Sequence, residues 1–454
     1  MLRSLASIAI LAFAGLILFH LGTRGSNPNP QQRWVDDDGT VGAASRSCDG
    51  ADTAYFSIQA AIEAAQDGDE IIVCPGIYVE QITIRRNRLS IHSFDRSALD
   101  PSPDTLLRPA ELVPAGVWIL GDGNTFEGFV IEDKVPDPPA HPHPHTLILV
   151  QGDRNVIRAN RMIGRGNAGL PDAGIIVHGA DAGNGVAESN QVIENELLNL
   201  AGHGILVLSL APGRAAYWTT VAGNQVHDNP GNGITVDRSP YTRVEHNRLT
   251  RNGVAMSFNS DASFPGIGTV FRCNEISGNA TGARNTATDG TVMAAAFNWW
   301  GNAAGPLHDL RNLSGRGDRA GDNIHFEPWL TGPPGPVCPL LQIHIDIQPG
   351  IAPNRIPLHR SVLIPVAILS NPGFMAVIDL DRTRMTFGPT GAEAPGVGCQ
   401  TTAGDLNGDG LADLLCYFRA DQMGFRPEHT EGIFRGQTRE GVPVEGRDAV
   451  QIVP

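Results

Sequence analysis

Asn155-Val-Ile-Arg-Ala-Asn160, Asn190-Gln-Val-Ile-Glu-Asn195, Asn224-Gln-Val-His-Asp-Asn229, Asn247-Arg-Leu-Thr-Arg-Asn252 and Asn274-Glu-Ile-Ser-Gly-Asn279 are one phrase, repeated. In each, two asparagines five positions apart enclose an aliphatic centre. The phrases begin at 155, 190, 224, 247 and 274, and Asn298 opens a further one, so the spacing runs from 23 to 35 residues. Repeats of this size mark a stacked architecture, because one unit cannot bury its apolar residues until a neighbour sits on it.

Working outward, each phrase is followed by a short apolar run, such as Gly174-Ile-Ile-Val177, Gly204-Ile-Leu-Val-Leu208 and Gly233-Ile-Thr-Val236. Runs this short read as buried strands of a parallel stack. The asparagines read as turn residues: Asn tolerates the left-handed backbone, and its amide can bond its equivalent in the next coil. The longer repeats predict loops projecting near 180–185 and 211–218, where a solenoid places its specificity.

Before the repeats, residues 57–65 form the one convincing amphipathic helix, with Ile58, Ala61, Ile62 and Ala65 on a common face. Strands are expected over 70–74, 78–84 and 89–92. Such a helix suits the open end of a stack, whose strand edges must be covered. After the repeats come Asn298-Trp299-Trp300-Gly301 and Phe326-Glu-Pro-Trp329-Leu330. The paired tryptophans suggest a sugar-stacking platform or, more simply, a large plug over the last coil.

The run Ser57-Ile-Gln-Ala-Ala-Ile62, then Gly68-Asp-Glu-Ile-Ile-Val73 and Pro75-Gly-Ile-Tyr-Val-Glu80, resembles the entry segment of the pectin-lyase-like superfamily, and the asparagine phrases resemble that group's coil repeats. The resemblance spans residues 34–330 and implies an all-β fold, a right-handed single-stranded parallel β-helix. It assigns no reaction.

The Pro/Gly-rich stretch 331–339 is a linker. Residues 340–454 change character, with alternating strands over 342–347, 361–369 and 384–387 and no asparagine phrase. They are expected to form a smaller β-sandwich-like domain. Its wording is similar to a C-terminal accessory module of varied exported bacterial proteins, which implies attachment or binding.

The amino terminus has Arg3 ahead of an apolar run over 5–21, the layout of a signal peptide or an uncleaved signal anchor (1–25), followed by a polar linker at 26–33. Export agrees with six cysteines that show no CxxC pair. Proximity favours Cys48 with Cys74, Cys399 with Cys416, and Cys273 with Cys338, among fifteen possible connectivities. A net charge of −15 argues against nucleic acid as partner. Membrane contact is expected only through the leader, and the protein is expected to be a monomer.

The sharpest chemical motif is Asp405-Leu-Asn-Gly-Asp-Gly-Leu-Ala-Asp413. Asp405, Asn407, Asp409 and Asp413, with the Leu411 carbonyl, stand where an EF-hand-type loop places calcium ligands, though Cys416 occupies the twelfth position. This predicts a structural calcium; an ion-free Asx turn is the plainer alternative. His141, His143 and His145 alternate along a Pro-rich segment that would suit Cu²⁺ or Zn²⁺, and are better read as a solvated loop.

For catalysis, Asp172, His178, Asp181, His203, Asp228, Asp237, Arg238 and His246 are scattered through the coils. Asp237, Arg238 and His203 are the candidates expected to share a surface. No carboxylate pair has the spacing that would name a hydrolase, and Lys134, the only lysine, offers little to a lyase. The functional expectation is an exported protein that binds extracellular or cell-surface polysaccharide along the β-helix face. The alternatives are a polysaccharide lyase or glycosidase working in that groove, and an adhesin or envelope structural protein.

Overall fold

The structure is a computed structural model and describes residues 30–37, 48, 55–96, 105–109, 115–132, 146–164, 173–179, 185–211, 213–336, 338–358, 360–371, 374–400, 404–439 and 443–454. The leader, Lys134, His141, His143, His145, Asp172, Asp181 and the loop residues 180–184 lie outside the described residues.

Three parallel sheets run through the first unit. Sheet A has eleven strands from Gln32–Val35 to Ile324–His325. Sheets B and C have eight each, from Gly76–Val79 to Glu275–Ser277 and from Ile82–Ile84 to Thr281–Asn285. One coil shows the path: Gln191–Ile193 in sheet A, Glu196–Leu198 in sheet B and His203–Leu208 in sheet C. The chain then returns to sheet A at Thr220–Ala222, parallel to Gln191–Ile193. Inward residues Val192, Leu197, Ile205 and Val207 are fully buried, and one continuous core runs from Val35 to Phe326. The expected entry helix is present at Ile58–Ala64, capped by the Ser57 hydroxyl and by the Glu80 carboxylate, which accepts from the Ile58 and Gln59 amides (2.8 and 2.9 Å). At the far end Trp300 is fully buried against Phe326, so it is the plug and not a platform.

The asparagines stack in columns, with one correction to their alignment. Asn160, Asn195, Asn224, Asn247, Asn274 and Asn298 form a single column at the corner between sheets A and B, each backbone N–H donating to the next Oδ1 at 2.9–3.0 Å. Asn229, Asn252 and Asn279 form a second at the corner between B and C. Asn155 and Asn190 belong to a third, which continues as Thr219 and Thr242. The phrase therefore slips by one corner between Asn195 and Asn224. Three strand residues plus a two-residue turn fit either corner, so five-residue spacing cannot tell them apart. The left-handed backbone also falls on the residue before each asparagine: Ala159, Glu194, Gly223, His246, Cys273 and Phe297 all have φ between 51° and 67°. The asparagine itself is buried and bridges coils, satisfying an amide that would be orphaned inside the wall.

In the second unit the expected strands close on one another as a seven-stranded barrel, with Leu341–Ile347 pairing parallel to Pro443–Ala449 and the remaining pairs antiparallel. Phe387, Phe418 and Phe434 fill it. All three expected disulfides are present, and Cys273–Cys338 ties the coil stack to the barrel. A buried ion network crosses the same junction. Arg243 meets Asp379 at 2.7 Å and Glu245 at 3.4 Å, and Arg272 meets Glu245 at 3.0 Å.

Candidate functional site

The loops that interrupt the repeat leave from the carboxyl ends of the sheet C strands, at the corner leading to sheet A. Asp237 ends Asn232–Asp237, in register with Leu208 and Asn259 of the flanking strands. Its Oδ1 accepts from Arg238 Nε at 3.0 Å and from Asn259 Nδ2 at 2.9 Å. Arg238, in the left-handed region, reaches Asp261 at 3.5 Å. Asp261 in turn accepts from the backbone N–H of Ser263 and Phe264, which fixes the loop after Val254–Asn259.

That loop delivers Phe264 to an aromatic group built from three successive coils. Tyr217 lies 6.4 Å from Phe264 and 5.7 Å from Trp218, and Trp218 stacks on Tyr241 at 5.7 Å with 12° between the planes. Trp218 remains 44% exposed although it is stacked on Tyr241 and tilted against Tyr217. The 211–218 loop was legible as a projection, but these rings were missed as a set, since only their three-coil register brings them together. The adjacent Tyr217 and Trp218, in a chain with only 6% aromatics, were the available signal.

A carboxyl stands beside them. Glu188 is in register with Tyr217 across the two-stranded sheet Val186–Glu188 and Ala215–Tyr217. Burial, and then the Asp153 carboxylate, push Glu188 above the usual carboxylate range. Tyr217 is raised by burial and by Glu188. The Glu188 backbone N–H donates to Asp153 Oδ1 at 2.9 Å, which fixes the two acids relative to each other.

His203 shares the outer face of sheet C with Asp237 but stands at the opposite end of the strands. Its Nδ1 meets the Thr235 hydroxyl at 2.9 Å. Burial lowers its pKa, with Asp237 acting in the opposite direction. Of the three candidates only Asp237 and Arg238 are in direct contact, and His203 stands apart from them at the other end of the strands. His178 bonds its neighbour's carbonyl, Gly179 O, at 2.7 Å. Asp228 is clamped by Arg251 and His227 on sheet B's side, and His246 occupies a turn position before Asn247.

In the barrel, Asp405 accepts from the N–H of Gly408, Asp409 and Gly410, and Asn407 Nδ2 donates to Asp409 at 2.9 Å. These three side chains gather around one exposed turn. Asp413 is fully buried, with its oxygens accepting from Ser370 N and Leu406 N at 2.8 Å, so it anchors the loop to the barrel.

The coil stack and the barrel together define a right-handed parallel β-helix protein with a C-terminal β-barrel module. Residues 113–249 match the family described as "Right handed beta helix region". Solved structures similar to the chain include pectate lyase Pel9A (13% identity, TM-score 0.48, covering 67% of this chain and 80% of that one). XylC in complex with xylose is another (10%, 0.43, 59% and 65%), as is the pectin methylesterase of Aspergillus niger (12%, 0.33, 57% and 87%). No curated protein matches the chain. Three disulfides, with no free cysteine among the described residues, are consistent with an extracellular protein.

Proposed function

We propose that this is an exported protein that binds extracellular or cell-surface polysaccharide at the corner formed by Trp218, Tyr241, Tyr217 and Phe264. The observation that carries the reading is the partly exposed Trp218, stacked on Tyr241. A pyranose presents an apolar C–H face and a rim of hydroxyls; the indole suits the first, and the Asp237, Arg238, Asn259 and Asp261 array suits the second. A screen of neutral and uronate glycans against the intact protein tests this. A ligand retained by wild type should bind about tenfold or more weakly to Trp218→Ala, the loss of one stacked ring. Equal binding by both would remove the site.

A second reading, glycosidase action in the same groove, is favoured by Glu188, whose raised pKa is what a general acid needs. Arg238 is tied to two carboxylates and is poorly placed to take an α-proton, so the lyase alternative has less support. Release of reducing ends from the bound glycan should fall at least about a hundredfold in Glu188→Gln with binding retained. Turnover unchanged in that variant would discard the acid role. For the barrel we propose a structural calcium held by Asp405, Asn407, Asp409 and the Leu411 carbonyl, supported by the convergence of the three side chains on one turn.

A further inference from the structure

We propose that the glycan taken at the Trp218 corner carries no carboxylate, so that the site selects neutral polysaccharide against uronate polymers. This rests on the reading of the corner as the glycan site and adds the charge class of the ligand. On the side of the later coils, Asp237 and Asp261 share Arg238, at 3.0 and 3.5 Å. On the side of the earlier coils, Asp122 and Asp153 share Arg154, at 3.6 and 3.8 Å. Glu188, in register with Tyr217, adds another acid, while Arg214 of the projecting loop has a partner of its own. Each of the two shared guanidiniums is thus divided between two carboxylates, and acids outnumber arginines around the rings.

That field already acts on the protein's own groups: burial and then Asp153 push Glu188 up, and burial and then Glu188 push Tyr217 up. A uronate carboxylate brought to the same place would give up water and meet like charge. A bridging calcium would need about six to eight oxygens. Here Asp237 Oδ1 already accepts from Arg238 and Asn259, and Asp261 Oδ1 from the Ser263 and Phe264 N–H groups. Sugar hydroxyls suit these paired groups better, because a hydroxyl both donates and accepts a hydrogen bond and brings no charge.

Calorimetric titration of the intact protein with tetrasaccharides of glucose, mannose, galactose and xylose, against tetragalacturonate and tetraglucuronate, tests the assignment. The best neutral ligand should bind at least about tenfold more tightly than either uronate, with or without Ca²⁺. That gap should narrow as salt rises from about 50 to about 500 mM. It should also shrink about threefold or more in Asp122→Asn/Asp153→Asn, which removes both acids from Arg154 and keeps an acceptor at each position. A uronate bound as tightly as the neutral ligand, or a gap that neither salt nor the folded double variant changes, would overturn the charge selection. Trp218→Ala separates the two levels of the argument. If it weakens both kinds of ligand while wild type binds them equally, only the selection falls. If it binds every glycan as wild type does, or if wild type binds none, the corner falls and the selection with it.

Discussion

At the residue scale, the buried asparagines determine how the wall is built. Asn247 Oδ1 accepts from both Asn224 N and Asn224 Nδ2, and its own amide donates to Val221 O and Asn274 Oδ1. Leucine has the same branching of side-chain heavy atoms and none of these polar groups. Asn247→Leu should therefore destabilise the coil stack by roughly 3 kcal/mol, read from a denaturant midpoint; a loss under about 0.5 kcal/mol would mean that water satisfies the corner. His203 carries a pH signature. Its folded pKa is depressed below the ordinary value of 6.5 by burial, so its contribution is intact above 6.5 and is lost as pH falls below it, where the unfolded chain takes up a proton that the folded site resists. The drop in melting temperature from pH 7 to pH 5 should be smaller in His203→Gln than in wild type. An identical drop would show that His203 titrates normally.

At the element scale, the repeat, the entry helix, the two short-range disulfides and the tryptophan plug were legible because each is local or periodic. The column alignment was not. Asn190 and Asn224 look equivalent in sequence, yet Asn224 stacks on Asn195, whose backbone N–H donates to the Asn224 Oδ1, because the partner is set by the coil and not by the phrase. The aromatic corner was illegible for a related reason. Tyr217, Tyr241 and Phe264 lie in three coils of different length, and only the parallel register places them side by side. The Asp405–Asp413 loop is the opposite case, a contiguous motif in which the Asp405, Asn407 and Asp409 side chains meet at one turn while Asp413 is drawn into the barrel wall. Its test is thermal: chelator should lower the melting temperature of wild type by several degrees, and added Ca²⁺ should restore it. Asp405→Ala should show no response to either. A wild-type melt indifferent to chelator would leave the loop an Asx turn.

At the scale of the whole molecule, the coil stack is a long scaffold that is closed at one end by a helix and at the other by Trp300. The barrel is clamped to its flank through Cys273–Cys338 and the Arg243–Asp379 pair. Breaking one partner of a pair this buried is expensive, so the barrel's placement is a fixed feature of the fold. Most outer surface on sheet B is consumed by ion pairs such as Arg161–Glu196 and Arg251–Asp228, which leaves little for a ligand. The corner beyond sheet C differs in presenting a partly exposed indole beside a polar group, Asp237, Arg238, Asn259 and Asp261, whose members bond one another. The most direct test of that assignment is calorimetric titration of the best-binding oligosaccharide into wild type, Trp218→Ala and Trp299→Ala. The account predicts that the first substitution lowers affinity by about tenfold or more while the second leaves it within about twofold, with both variants folded. Affinity lost in Trp299→Ala and kept in Trp218→Ala would contradict it.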